Sequence, residues 1–174
     1  RSQIEKNLTA LKYGYTNYQF NSKNSANISL ENALKEVMPL AKSRNDIGSL
    51  LYPACGTYNY RVISGTGRLS PHSFGIAIDL KSDPRDYWKW SSKEKGTSRV
   101  LEYPTELVEA FEKNNFVWGG KWGHFDILHF EYRPEIILKA RYFSDTKDSK
   151  NWFDGAPLDD KNAQDYIKLI DENI

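Results

Sequence analysis

A chain of 174 residues with 24 basic against 23 acidic residues, a net charge of +1, is long enough for one well-buried core and carries no broad field to hold nucleic acid or an anionic membrane. Its single cysteine, Cys55, excludes an internal disulfide and a thiolate metal site, so any metal here takes nitrogen and oxygen donors. No run reaches the ~18 apolar residues of a membrane span, and Arg1-Ser-Gln-Ile-Glu-Lys-Asn does not form an export signal, although a chain opening on Arg is expected to be processed or trimmed.

In chain order, Ile4 to Tyr15 reads as a short amphipathic helix ended by Gly14, and residues 16–28, rich in Asn and Ser, as irregular connection. Ser29 is placed as an N-cap. Leu30, Ala33, Leu34, Val37, Met38 and Ala41 follow at helical spacing, which predicts a helix over about 30–45 with Pro39 as a candidate kink. Leu50 to Gly56 reads as a loop entering a strand from Thr57 to Ser64, with Tyr58, Tyr60 and Val62 on one face and Asn59, Arg61 and Ile63 on the other. A turn at Gly65-Thr66-Gly67 precedes a short strand from Gly75 to Lys81.

Residues 82–99, polar but carrying Tyr87, Trp88 and Trp90, read as a long surface excursion, either a lid or substrate wall or a packed insertion. Thr105 caps a helix bearing Leu107, Val108, Ala110 and Phe111. Strands at 116–118 and 125–133 are joined through Gly119, Gly120 and Gly123, Pro134 starts a helix to Ala140, and a polar connection leads to a final helix near 161–172. The expected architecture is a single α+β domain over 1–174, a small, mostly antiparallel sheet flanked by helices, with the motif-bearing core at about 55–140.

Period two sends Ile76, Ile78 and Leu80 to the core and leaves Gly75, Ala77 and Asp79 on the opposite face, where small neighbours give a metal and a substrate room. His72 lies seven residues before Asp79, an odd separation, so the chain must turn near Ser73-Phe74 for both to serve one site. Histidine is scarce. Of the three, His124 and His129 flank Asp126; His129 joins His72 and Asp79 as a candidate donor, while His124 reads as a loop histidine.

Ser70-x-His72-x-x-Gly75-x-Ala77-x-Asp79, answered by Trp118-Gly-Gly and Asp126-x-x-His129-Phe-Glu131, resembles the zinc D-Ala-D-Ala carboxypeptidases of the VanY type and the related phage L-alanyl-D-glutamate endolysins. The resemblance covers about residues 55–140. It implies one Zn²⁺ on His72, Asp79 and His129, a general base or acid at Asp126, an arginine for substrate or oxyanion at Arg61, and further substrate contacts at Ser70 and Trp118. It also implies a peptidoglycan stem-peptide substrate, a periplasmic or secreted location, and the fold shared with the zinc-binding domain of hedgehog signalling proteins. A monomer is expected.

The residue chemistry is compatible with that resemblance. Two imidazoles and one carboxylate leave a tetrahedral metal an open position, and a nearby non-coordinating carboxylate is what a purely structural site lacks. Asp126 and His129, three apart, would face opposite ways on a regular strand, so a turn or bulge is expected near 125–127. Glu131 is the rival for proton transfer, or a partner orienting His129. Two other classes compete: a non-haem iron oxygenase, whose usual His and Asp stand two apart rather than seven, and a non-catalytic zinc domain binding cell-wall glycan.

Overall fold

A computed structural model describes residues 1–14, 16–142 and 151–172. The N-terminal reading needs correction. Only α1 (Ser2–Glu5) is helical; β1 (Leu8–Tyr13) and β2 (Thr16–Asn21) then form an antiparallel hairpin in which Tyr13 opposes Thr16. Leu11, Tyr18 and Phe20 go inward and polar neighbours outward, so burial on one face of the hairpin outweighs the helical spacing of Ile4, Leu8 and Leu11. Tyr15, the last residue of the expected helix, lies outside the described residues.

Helix α2 (Ala26–Ser43) begins before Ser29, which is buried within it rather than capping it, and carries Pro39 in its interior. Its stripe of Leu30, Ala33, Leu34 and Val37 packs into the main core beside α3 (Asn45–Leu51), a helix the sequence reading did not assign, whose last two residues fall in the loop expected from Leu50; Ile47, Leu50 and Leu51 give it an apolar face at spacings of three and one. From Thr57 to Ser64 there is no strand ladder. Its main chain is tied instead to the segment that follows: Ser70 N–H donates to Arg61 O at 3.0 Å and Asn59 N–H to His72 O at 3.2 Å. These bonds to residues 68–72 are too irregular for a ladder and give one isolated bridge, Val62 to Leu69, with a second, Gly56 to Asp79, just before the stretch.

The site rests on a three-stranded antiparallel sheet of order β3-β5-β4, comprising β3 (Ala77–Asp79), β4 (Phe116–Trp118) and β5 (His129–Tyr132). One sheet face is core: Ile78 and Phe130 are fully buried, and Phe130 lies 4.4 Å from the ring of Phe111 on α5 (Thr105–Lys113). The other face carries Ala77 and Asp79 opposite Glu131 and His129. The long excursion is only partly loop, since α4 (Lys93–Glu102) occupies its second half; with Gly96 as its one buried residue, this helix has no apolar stripe to betray it. The strand expected over 125–133 is shorter, because the chain turns at 127–128, with Asp126 before the turn bridged to Tyr87.

Helix α6 (Pro134–Tyr142) and α7 (Lys161–Asp171) fall where expected and share a second apolar cluster, Leu138, Ala163, Ile167 and Ile170. The whole is α+β with helices around antiparallel sheet, as the sequence predicts, but with two small sheets where one was expected.

Candidate metal centre and active site

The turn demanded by the spacing of His72 and Asp79 is a 3₁₀ turn over Pro71–Phe74. Proline fits its first position, and the hydroxyl of Ser70 accepts the His72 amide at 3.3 Å. Gly75 closes it at φ 67°, a left-handed conformation that favours glycine, and a Cβ there would press on Leu8. His72 is thus carried over the end of β3, on the face of Asp79.

On that face Asp79 and His129 are cross-strand partners. The three donor atoms form a tight triangle: His129 Nδ1 to Asp79 Oδ1 is 2.8 Å, His72 Nε2 to Asp79 Oδ1 is 3.1 Å, and the two nitrogens are 3.2 Å apart. The outer nitrogens fix the tautomers. His72 Nδ1 lies 2.5 Å from Thr57 O, which can only accept, so Nδ1 carries the proton and Nε2 offers its lone pair inward. His129 Nε2 faces Glu131 Oε2 at 3.4 Å, which turns Nδ1 inward in the same way, and Arg133 Nη1 donates to the other oxygen of Glu131 at 2.9 Å.

Two inward lone pairs and a carboxylate oxygen repel one another unless a cation lies between them. Donors on a tetrahedral zinc with bonds of about 2.0–2.2 Å stand roughly 3.3 Å apart, close to the observed spacing, so the residues present fit such an ion. Without one, a proton does the work. Burial pushes the pKa of His129 down, but hydrogen bonds to Asp79 and Glu131 outweigh it and hold the ring at about 9. Asp79, also opposed by burial, is drawn well below the ordinary carboxylate range by His129 and His72.

Asp126 enters from the other side. The predicted bend is a turn in which His129 N–H donates to Asp126 O at 3.1 Å, so Asp126 and His129 escape the opposite-face rule of a regular strand. Gly119 makes room: its carbonyl accepts the Asp126 amide at 3.0 Å, and a Cβ on it would collide with the Asp126 carbonyl. Burial raises the Asp126 carboxyl to about 6, with the negative charge of Asp79 adding to the effect against the pull of His129. A half-buried carboxyl poised near neutrality, beside a set of converging donors, is equipped for proton transfer.

Of the other expected site residues, Arg61 is exposed, and among the described residues its guanidinium has no ion pair or hydrogen bond. Its backbone is fixed by Ser73, whose hydroxyl accepts the Arg61 amide at 2.8 Å and donates to the Arg61 carbonyl at 2.7 Å. Ser70 and Trp118 are buried; the indole Nε1 of Trp118 donates to Ile127 O at 2.7 Å. His124 is exposed and stacks on Trp88, ring centroids 4.0 Å apart. Sequence reasoning did not find Thr57, whose contribution is a main-chain carbonyl and leaves no mark on residue type, nor Trp122, 5.6 Å from the His129 ring.

No curated protein and no solved structure shows significant similarity to the chain. Residues 64–132 match the family model described as D-alanyl-D-alanine carboxypeptidase. That stretch, about two fifths of the chain, is similar to the family and contains the 3₁₀ turn, β3, the Asp126 turn and β5, and with them His72, Asp79 and His129.

Proposed function

We propose that the protein is a zinc peptidase that hydrolyses a bond next to a D-amino acid in the stem peptides of bacterial peptidoglycan, as a D-Ala-D-Ala carboxypeptidase or an L,D-endopeptidase. It works in the periplasm or outside the cell. The observation that carries this reading is the convergence of His72, Asp79 and His129 on one point inside the segment matched to the carboxypeptidase family. His72, Asp79 and His129 would hold the ion, which when bound supplies Lewis acidity toward the scissile carbonyl and the attacking water.

The chain's own residues do the rest. Asp126 removes the proton of the attacking water and returns it to the leaving amine; a carboxyl near 6 is ionised at neutral pH yet basic enough for the task. Glu131 holds the outer proton of His129 and Thr57 that of His72, keeping both rings turned inward. Arg61 binds the substrate carboxylate or the developing oxyanion, a role for which its exposed, planar fork is suited. Ser70 and Trp118 support the site from behind, through the His72 amide and the Ile127 carbonyl, rather than touching substrate.

The test is zinc content of protein purified without added metal, together with amino-acid release from defined stem peptides. One zinc per chain with release at a D-residue is expected. Hydrolysis of ordinary L-peptides alone removes the substrate assignment, and zinc without hydrolysis of any peptide turns the protein into a cell-wall-binding domain.

A further inference from the structure

Asp86 is a carboxylate 1% exposed and outside the metal triangle. Arg99 Nε on α4 donates to its Oδ1 at 2.9 Å, and its Oδ2 accepts the Asp83 amide at 2.7 Å. A buried charge pair is costly to assemble, so what it holds in place matters more than its own stability. It holds the main chain beside Asp126. The carbonyl of Asp86 accepts the Ile127 amide at 2.7 Å, Trp88 N–H donates to Phe125 O at 3.0 Å, and Tyr87 between them bridges to Asp126. Residues 86–88 therefore run antiparallel along 125–127 and clamp the turn from outside, while Gly119 holds it from inside.

The clamp closes through aromatic packing. The guanidinium of Arg99 lies over Tyr103 at 5.2 Å, Tyr103 stacks on Trp118 at 5.1 Å, and Trp118 Nε1 donates to the Ile127 carbonyl. Both polar groups of the Ile127 backbone thus trace back to Arg99, one through Asp86 and one through Tyr103 and Trp118. Gly96, a turn before Arg99 on α4, completes the contact, since a Cβ there would run into the ring of Phe125.

We propose that the Asp86–Arg99 pair, with the close approach of Gly96 to Phe125, is a positioning device that sets Asp126 for proton transfer. This deepens the proposed function and rests on it. Small displacements of a proton-transfer group cost rate without costing metal or substrate affinity. The test compares Arg99→Met, Arg99→Lys and Gly96→Ala with the parent in zinc content, kcat, KM and amide hydrogen exchange of Ile127 and Trp88.

Expected are full zinc in all, kcat lowered about tenfold or more in Arg99→Met and Gly96→Ala at a KM within about twofold, recovery in Arg99→Lys, and faster exchange at both amides in the two impaired variants. Gly96→Ala keeps the charge pair, so it answers even if Arg99→Met fails to fold. Variants with parental kcat, or a loss that tracks zinc loss, overturn the inference. A parent that cleaves no peptide overturns the proposed function instead, and parental exchange rates in Gly96→Ala would then overturn the clamp by themselves.

Discussion

The candidate metal donors and Asp126 are brought together in the fold but are held by different means. His72, Asp79 and His129 are set by a capped turn, a cross-strand pair and buried hydrogen bonds to their outer atoms, so each is fixed by several neighbours. Asp126 is held through its main chain, by Gly119 on one side and residues 86–88 on the other, and its carboxyl is left to burial. Arg61 stands further out still, on an exposed segment pinned through its backbone. Damage to the first set should cost the metal, and damage to the second should cost turnover alone.

The sharpest break comes from removing a donor. Asp79→Ala leaves two histidine lone pairs facing each other with no carboxylate between them. Zinc measured after gel filtration should be lost and turnover should fall to background; a variant that keeps stoichiometric zinc would remove Asp79 from the ligand set.

Asp126→Asn should do the reverse. The amide keeps the shape and loses the basicity, so zinc content persists while kcat falls by roughly 10²- to 10⁴-fold. Glu131→Gln supplies the contrast, because an orienting partner of His129 is expected to weaken metal binding by about 10- to 100-fold before it affects the chemical step. A metal-loaded Asp126→Asn enzyme with near-normal turnover, beside a metal-loaded but dead Glu131→Gln, would reverse the two roles.

How much of this was legible follows the same division. The parity of residue numbers gave both bends of the site: His72 and Asp79 are an odd seven apart, Asp126 and His129 an odd three, and each pair is served by a turn. Helices with a buried stripe, at 26–43, 105–113 and 161–171, were visible because burial follows the helical period. Helix α4 buries only Gly96, so its sequence has no period to read. The hairpin did leave a trace in the alternation of Tyr18 and Phe20 with polar residues, outweighed by the Asn and Ser around it. The stretch 57–64 has strand-like residues without a strand because pairing needs a partner that composition does not reveal.

Proton competition sharpens the comparison further. In the metal-free protein His129 binds its proton up to about pH 9, against an ordinary 6.5, because the carboxylates of Asp79 and Glu131 outweigh burial. A raised pKa stabilises the metal-free fold fully below about 6.5 and loses that contribution as pH rises through about 9. If zinc binds there as proposed, it has to displace this proton, so its affinity should rise roughly tenfold per pH unit across that window and level off above it. Chelator competition from pH 6.5 to 9.5 measures it, and affinity constant across the window would show that His129 is not a donor.

The smallest effect is expected at Arg61, and it separates charge from geometry. The exposed guanidinium has no partner among the described residues, so its substitution leaves no buried charge behind and should not alter zinc content or folding. Lysine keeps the positive charge but offers a single ammonium where arginine offers a planar fork, and a carboxylate or oxyanion bound by two parallel hydrogen bonds loses one of them. A loss of about 1.4 kcal/mol, or roughly tenfold in kcat/KM, is therefore expected for Arg61→Lys. If the arginine grips a terminal carboxylate, the loss should fall in KM and vanish for substrates lacking that carboxylate. If it faces the developing oxyanion, kcat should fall for every substrate. A kcat/KM within about twofold of the parent on all peptides would leave Arg61 as a surface residue, with the reaction carried by the buried half of the site alone.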